Sequence, residues 1–336
     1  MNLKIDKKKL INKSYFITGG TGSFGQKFIE ILLKKYNPKK IILFSRDEQK
    51  QFILQDKLKK YQNKLRYFIG DIRDAGRLNG AILNNNVDYV IHAAAMKHVK
   101  FAEYNPFEAV KTNVVGAENI INSCLQSNTI KKVIALSTDK AVSPINLYGA
   151  TKLVSDKLFL NANIFKGNKK ITFDVVRYGN VFGSKGSVVE VFNRISDNVF
   201  NITHPEMTRF NISLEDGVQL VLHSLSYSGG AEIIVPKLKS YRVIDLISAF
   251  SNKAIIDNIG TYVGEKIHEE LLTITETSPV YEFDKYYVIK NSSTKLGNYP
   301  SKKSLINSFS YNSGENSKFL SIDELRKLIN LYKKNS

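Results

Sequence analysis

With 336 residues, 43% of them hydrophobic and 24% charged, the chain can bury a large core and has the length of two lobes rather than one. Its net charge of +18 comes from lysines scattered along the sequence rather than from one basic arm. That pattern reads as a solvated surface with an attraction for anionic small substrates and argues against a nucleic-acid partner, while the lone Cys124 excludes an intramolecular disulfide and a cysteine-cluster metal site.

The start, from Met1 to Ser14, is basic and polar, and the first apolar run is too short for a bilayer, so stable membrane insertion is not expected and a reducing cytoplasm is. Strands are predicted over 15–18, 40–45, 65–69, 89–93, 132–137 and 172–177, separated by segments of helical period such as 25–36 and 106–125. This alternation predicts an α/β fold with a Rossmann-like, doubly wound parallel sheet whose ligand lies at the carboxyl ends of the strands. After Asn180 the pattern loosens at Gly183, Gly186, His204-Pro205 and Pro236, where a smaller, discontinuous substrate-binding lobe is expected. The boundaries are then 1–181 with about 208–236 for the nucleotide lobe, and 182–207 with 237–336 for the second. Residues 214–225 read as a helix returning to the first lobe, 292–318 as an exposed Ser/Asn/Lys-rich connection, and 322–333 as a last helix.

The first strand runs directly into Thr18-Gly19-Gly20-Thr21-Gly22-Ser23-Phe24-Gly25 and then into a helix. Glycines there let backbone N–H groups approach a pyrophosphate, which assigns Gly19, Thr21, Gly22, Ser23, Phe24 and Gly25 to a dinucleotide. The second strand ends in Phe44-Ser45-Arg46-Asp47. Arg46 stands where an acid would take the ribose 2′-hydroxyl of NAD, so Ser45 and Arg46 favour NADP; Asp47, one position later, keeps NAD open. Asp71-Ile72 after the third strand suits an adenine edge, although an Asp in that place also caps turns.

The fifth strand ends in Leu136-Ser137-Thr138-Asp139-Lys140, and Tyr148-Gly149-Ala150-Thr151-Lys152 follows shortly after. A Tyr and a Lys four apart share one helix face, so the ammonium favours tyrosinate and can hold a nicotinamide ribose. Behind a dinucleotide turn and with Thr138 at the strand end, Tyr148 and Lys152 complete a catalytic triad.

At these residues the sequence resembles the C5-inverting UDP-N-acetylglucosamine 4,6-dehydratases of the extended short-chain dehydrogenase/reductase superfamily, which in bacteria open the route to pseudaminic acid, with close relatives serving capsule and O-antigen synthesis. The resemblance rests on Thr18 to Gly25, Ala93-Ala94-Ala95-Met96-Lys97-His98-Val99, Glu103-Tyr104-Asn105-Pro106, Ser137 to Ala141, Pro144 to Lys152 and Arg177-Tyr178-Gly179-Asn180-Val181. It continues through Met207-Thr208-Arg209-Phe210 and Gly264-Glu265-Lys266-Ile267-His268-Glu269 to Phe309-Ser310-Tyr311-Asn312-Ser313 and Leu320-Ser321-Ile322-Asp323-Glu324-Leu325.

The resemblance implies NADP as cofactor, UDP-N-acetylglucosamine as substrate and a homo-oligomeric enzyme. It gives Tyr148 the 4-hydroxyl proton, Asp139 the protonation of the departing 6-hydroxyl and Lys140 the proton at C5, with Thr138 and Lys152 orienting Tyr148 and the ribose. Retaining relatives carry Asp-Glu where this chain has Asp139-Lys140, so Lys140 argues for inversion; a retaining dehydratase or a UDP-sugar 4-epimerase is the alternative. As a base Lys140 needs an accessible neutral form, so burial or a cation such as Lys97 is expected to lower its pKa. Ala93, Ala94, Ala95 and Lys97 are expected at the cofactor, and Lys97, His98, Asn180, Arg209 and Glu265 at the substrate, the Arg209 fork facing the diphosphate. One departure is Tyr262-Val263, where the family has Arg-Pro before Gly-Glu-Lys, removing a diphosphate or uridine contact.

Overall fold

The computed structural model describes residues 1–276, 278–291 and 295–335. Six apolar runs form the strands β1 (Ser14–Thr18), β2 (Lys40–Ser45), β3 (Leu65–Ile69), β4 (Tyr89–His92), β5 (Lys132–Thr138) and β6 (Thr172–Tyr178), paired in parallel in the order β3-β2-β1-β4-β5-β6. All five residues of β1 are buried, as a strand covered by helices on both faces requires. The helices are α1 (Ser23–Lys35), α2 (Glu48–Lys57), α3 (Ala75–Leu83), α4 (Gly116–Gln126), α5 (Leu147–Phe165) and α6 (Leu214–Tyr227). Strand order reverses between β1 and β4, so a crevice opens at their carboxyl ends.

The helix predicted over 106–125 is interrupted. A π turn, Lys111–Val115, lies between a short helix, Pro106–Val110, and α4. It carries the buried Asn113, whose side chain accepts from the Met96 N–H at 2.8 Å and donates to the Met96 carbonyl and to Thr151 Oγ1, each at 3.0 Å. The wider turn thus ties the loop after β4 to α5, in keeping with the placement of such turns at functional sites.

The second lobe has its own core, formed around Phe192, Phe200, Met207, Leu246, Leu325 and Ile329. Its strands β7 (Asn180–Val181), β8 (Thr208–Ile212) and, beyond β9 (Glu232–Pro236), β10 (Lys239–Arg242) make a small sheet in the order β7-β8-β10. Helices α7 (Val243–Phe250) and α8 (Ile322–Asn335) cover it.

The structure draws the lobe boundary differently from the sequence. Strand β9 pairs in parallel with β6, and β11 (Val280–Glu282), β12 (Tyr286–Lys290) and β13 (Ser304–Ile306) continue antiparallel from it, giving ten strands in the order β13-β11-β12-β9-β6-β5-β4-β1-β2-β3. Residues 280–306 therefore extend the large sheet instead of joining the second lobe. The reason is burial: all five residues of β12 are covered, and an apolar run buried on both faces finds that cover only inside a large sheet. The connection expected over 292–318 likewise contains β13 and a pairing of Tyr311–Asn312 with Glu270–Leu272; its residues 292–294 lie outside the described residues. Among the described residues no helix is long and apolar enough to cross a membrane.

Candidate active site

The glycine turn joins β1 to α1 at the switch point. Gly19 has φ 66°, and a Cβ on it would lie 2.9 Å from the Ala94 nitrogen, so only glycine lets the turn pass this close to the end of β4. Gly22 is the N-cap of α1 and offers no side chain to the first-turn N–H groups, which leaves them facing the crevice as a cradle for an anion. Thr18 Oγ1 accepts from the N–H groups of Ala93 and Ala94 at 3.1 and 3.2 Å and lies 2.9 Å from His92 Nδ1. Burial, reinforced by Lys152, lowers His92 to about 3, so the imidazole is neutral and its Nδ1 accepts from Thr18. The residues present thus fit a dinucleotide by geometry as well as by composition.

At the end of β2, Ser45 Oγ is 2.8 Å from Thr21 Oγ1, which joins two of the assigned cofactor residues. The Arg46 side chain is 63% exposed and stays 3.7 Å from Asp71, too far for a hydrogen bond, so its fork is free to take a phosphate. Asp47 caps α2, accepting from the Lys50 N–H at 2.9 Å. Asp71 accepts from the backbone N–H, Nε and Nη2 of Arg73, which gives it the turn-capping role, and Ile72 packs under Gly116. Ser23 Oγ accepts from the Lys185 N–H at 3.4 Å, and Phe24 stacks on Phe28 in the core.

Lys97 and His98 both reach the loop after β7: Lys97 Nζ donates to the Lys185 carbonyl at 2.5 Å, and the His98 ring lies against Gly186. They seat that loop over the crevice.

The chemical groups gather where β5 ends. Thr138 caps a single turn, Asp139–Ala141, that presses against the start of α5; a Cβ on Gly149 would lie 2.1 Å from the Lys140 carbonyl oxygen, which is why the helix carries glycine there. Asn146 caps α5 by accepting from the Gly149 N–H at 2.8 Å and donates to the Gly264 carbonyl at 2.8 Å, joining the helix to the second lobe. Tyr148 is buried beside the Thr138 hydroxyl, with which it shares a hydrogen bond, and burial pushes its phenol up to about 12 against the pull of Lys140. Lys152, one turn further, is buried and donates to the Leu136 carbonyl at 2.8 Å; burial lowers its pKa, opposed by Asp156. Asp156 also accepts from Ser137 at 2.6 Å and pairs with Arg177 at 3.4 Å.

Asp139 is 1% exposed. Its Oδ1 accepts from Thr138 at 3.0 Å and Lys140 at 3.3 Å, while its Oδ2 is buried without a protein partner. Burial raises this carboxyl, with Glu269 adding to the rise and Lys140 opposing it, which favours the protonated acid. Lys140 departs from the sequence expectation. Burial alone would lower its ammonium, but the Asp139 and Glu269 carboxylates outweigh burial and Arg209, and the pKa rises. Lys97 plays no part, being turned to Lys185.

Arg209 is buried too. Its Nη1 donates to the carbonyls of Thr208 and Ile267 at 2.7 and 2.9 Å, its Nη2 donates to Met207 Sδ at 3.3 Å and lies 3.8 Å from Glu265, and its Nε lies 3.9 Å from Glu269, so the fork expected to face a diphosphate is turned largely into the protein. Asn180 pairs with Asn211 through β7 and β8 and holds a buried Oδ1 without a protein partner. In the Tyr262-Val263 departure, the Tyr262 ring carries Lys100 Nζ 3.3 Å from its centroid, and Val263 is exposed. Asn113, Asp156 and Glu269 are missed by the sequence reading. Asn113 and Asp156 have no motif of their own, and Glu269 closes the quoted Gly264–Glu269 phrase, yet its spacing from Lys140 carries no signal. Among the described residues no cluster could hold a metal ion.

A doubly wound sheet with a glycine turn at its switch point, and a Thr-Asp-Lys turn packed on a Tyr-x-x-x-Lys helix, define an extended short-chain dehydrogenase/reductase. A family of polysaccharide biosynthesis proteins matches residues 15–291, and the inverting UDP-N-acetylglucosamine 4,6-dehydratase of Campylobacter jejuni subsp. jejuni serotype O:23/36 is 47% identical over 331 residues, 95% of this chain and 97% of that protein. The chain belongs to this polysaccharide biosynthesis family, in the group of the inverting UDP-N-acetylglucosamine 4,6-dehydratases. A UDP-glucose 4-epimerase of Rickettsia bellii is 38% identical over 335 residues, 95% of this chain and 96% of that one. The X-ray structure of Pen from Bacillus thuringiensis is similar with a TM-score of 0.86 at 36% identity, covering 96% of this chain and 99% of that one.

Proposed function

We propose that this chain is a C5-inverting UDP-N-acetylglucosamine 4,6-dehydratase, a hydro-lyase giving UDP-2-acetamido-2,6-dideoxy-β-L-arabino-hex-4-ulose for bacterial surface glycans such as pseudaminic acid, capsule or O-antigen. The observation that carries the reading is the Thr138-Asp139-Lys140 turn packed against Tyr148 and Lys152 of one helix. The cofactor is a nicotinamide dinucleotide, in our reading NADP, held by the Gly19–Gly25 turn with Ser45 and Arg46. When bound, it supplies the hydride acceptor for C4 and the hydride donor for C6.

The chain's own groups move the protons. Tyr148, hydrogen-bonded to Thr138 and one turn from the Lys152 cation, accepts the proton of the 4-hydroxyl as the tyrosinate, the form that Lys140 and Thr138 favour against burial. The 4-ketone so formed acidifies C5. Asp139, whose carboxyl burial pushes towards the neutral form, gives a proton to the departing 6-hydroxyl, and its unpartnered Oδ2 is the oxygen free to do so. Lys140 takes the proton at C5 as the amine left once its ammonium has passed a proton to Asp139 Oδ1, 3.3 Å away, so the proton lost from C5 and the one given to the 6-hydroxyl balance. Glu265, Asn180 and Arg209 hold the nucleotide-sugar.

A UDP-sugar 4-epimerase is the second reading, favoured by the Rickettsia relative. Against it stands Asp139, since an epimerase has no leaving hydroxyl to protonate. We further place the enzyme in the cytoplasm, in keeping with its one buried cysteine, and as a homo-oligomer, in keeping with Phe101, Tyr104 and Phe107 exposed on the short helices Val99–Tyr104 and Pro106–Val110.

The test is incubation with UDP-N-acetylglucosamine in deuterated water, with mass and NMR at early times. The expected product is lighter by one water, carries deuterium at C5 and shows the L-arabino couplings. An isomer of unchanged mass would make the protein an epimerase, and a first-formed D-xylo ketone would make it a retaining dehydratase.

A further inference from the structure

Lys140 makes its shortest contact not with its neighbour Asp139 but with a residue 129 positions away, Glu269, whose Oε1 accepts from Lys140 Nζ at 2.7 Å against 3.3 Å for Asp139 Oδ1. Glu269 is 2% exposed. Its backbone is clamped from both sides by Ser313, the Glu269 N–H donating to Ser313 Oγ at 2.9 Å and the Ser313 N–H to the Glu269 carbonyl at 2.8 Å. Its Oε2 is buried with no protein partner, and its Oε1 lies 3.9 Å from Arg209 Nε. A carboxylate placed so deep and braced so firmly serves the ion pairs it makes, of which the one with Lys140 is much the closer, because a buried charge is retained only with a partner.

We propose that Glu269 is a positioning residue for the dehydration step, aiming Lys140 Nζ beside Asp139 and favouring its ammonium form. The inference rests on the proposed function, in which Lys140 acts at C5. The groups that face this pair are Asp139 on its own turn, Tyr148 from α5, Arg209 from β8, Tyr241 from β10, and Lys266 and Glu270 beside Glu269. Arg209 and Lys266 are cations and Tyr148 and Tyr241 are buried phenols, so with Glu269 neutralised only Asp139 would still hold the charge on Lys140 directly. Asp139 is the more distant carboxyl and is itself pushed towards its neutral form.

The sign follows. Lys140 takes a proton only as the amine, and Glu269 shifts the appearance of that amine to higher pH. Removing the carboxylate charge shifts it to lower pH.

Competitive labelling of lysine amines as a function of pH, read on the Lys140 peptide by mass spectrometry, measures this without reference to turnover. In the intact wild-type chain the Lys140 midpoint is expected above that of the exposed lysines. Glu269→Gln should lower it by at least about one pH unit, a tenfold change in amine fraction. Glu269→Asp, which keeps the charge, should bring it back towards wild type. The alkaline-rising limb of kcat should move with the midpoint while KM for UDP-N-acetylglucosamine changes less than about threefold. A purely structural Glu269 would lower Tm and leave the midpoint where it was.

An unchanged Lys140 midpoint in Glu269→Gln overturns the proposal, as does a wild-type midpoint at or below that of exposed lysines. The wild-type measurement decides even where Glu269→Gln does not fold. If wild type gives no loss of water, the functional reading fails while the labelling still reports whether Glu269 governs Lys140.

Discussion

Around Gly19 the site is built of backbone and neutral hydroxyls; around Lys140 it is built of buried charges. The first region joins the ends of adjacent strands of one sheet: Thr18 on β1 takes the N–H groups of Ala93 and Ala94 just past β4, and its proton goes to a neutral His92. The second joins Asp139 and Lys140 at the end of β5 to Arg209 and Glu269 from segments that reach the site only when the second lobe is seated. Neutral local bonds hold their geometry across pH, whereas buried charges hold theirs only while each partner keeps its charge. The contrast teaches that binding and chemistry in this protein rest on different footings, and each can be disturbed without the other.

The largest expected effect is on the chemical side. Tyr148→Phe removes the acceptor for the 4-hydroxyl proton and empties no space, so kcat should fall by roughly 10²–10⁴-fold while substrate binding persists. Both are read together, kcat by product formation and binding by calorimetry. A near-normal rate would mean that another group accepts that proton.

Next comes the cofactor side, where Arg46→Ala should cost about 1.5–3 kcal/mol of NADP affinity by removing one charge-assisted phosphate contact. NAD affinity should hardly change. An unaltered ratio of NADP to NAD dissociation constants, measured by titration, would remove Arg46 from the cofactor site.

Gly149→Ala disturbs the junction between the two regions. Its Cβ would lie 2.1 Å from the Lys140 carbonyl, so the Asp139–Ala141 turn must move away from α5. A loss of about 1–3 kcal/mol in stability is expected. Tm and kcat should fall together, and an unchanged kcat in the folded variant would show that the turn tolerates displacement.

The smallest effect is expected at Asp47. As the cap of α2, accepting from the Lys50 N–H, its replacement by Ala should cost about 1 kcal/mol of stability and leave cofactor preference alone. Denaturation and nucleotide titration test both halves. A selective loss of NAD affinity would instead make Asp47 a ribose ligand and weaken the case for NADP.

The sequence by itself determined whatever depends on neighbours along the chain. Apolar runs alternating with helical periods specify the six parallel strands to within a residue or two, because strands covered on both faces, such as β1 and β4, require uninterrupted apolar sequence, and the half-covered edge strand β3 keeps enough of the pattern to be read. The glycine turn, Ser45-Arg46, and Tyr148 with Lys152 are legible for the same reason, since their roles follow from position at a strand end or on one helix face.

Tertiary structure decided what distant segments do to one another. No spacing announces that β12 and β13 extend the large sheet, because a short apolar strand carries no mark of which edge it joins. Nor does any motif mark the inward turn of Asn113, which reaches Met96 and Thr151. The charge on Lys140 is the clearest instance. Read along the chain, it is a lysine that burial should neutralise; folded, it lies between Asp139 and Glu269. Its state is set by opposite charges within hydrogen-bonding distance, and that distance exists only once the second lobe has packed onto the first.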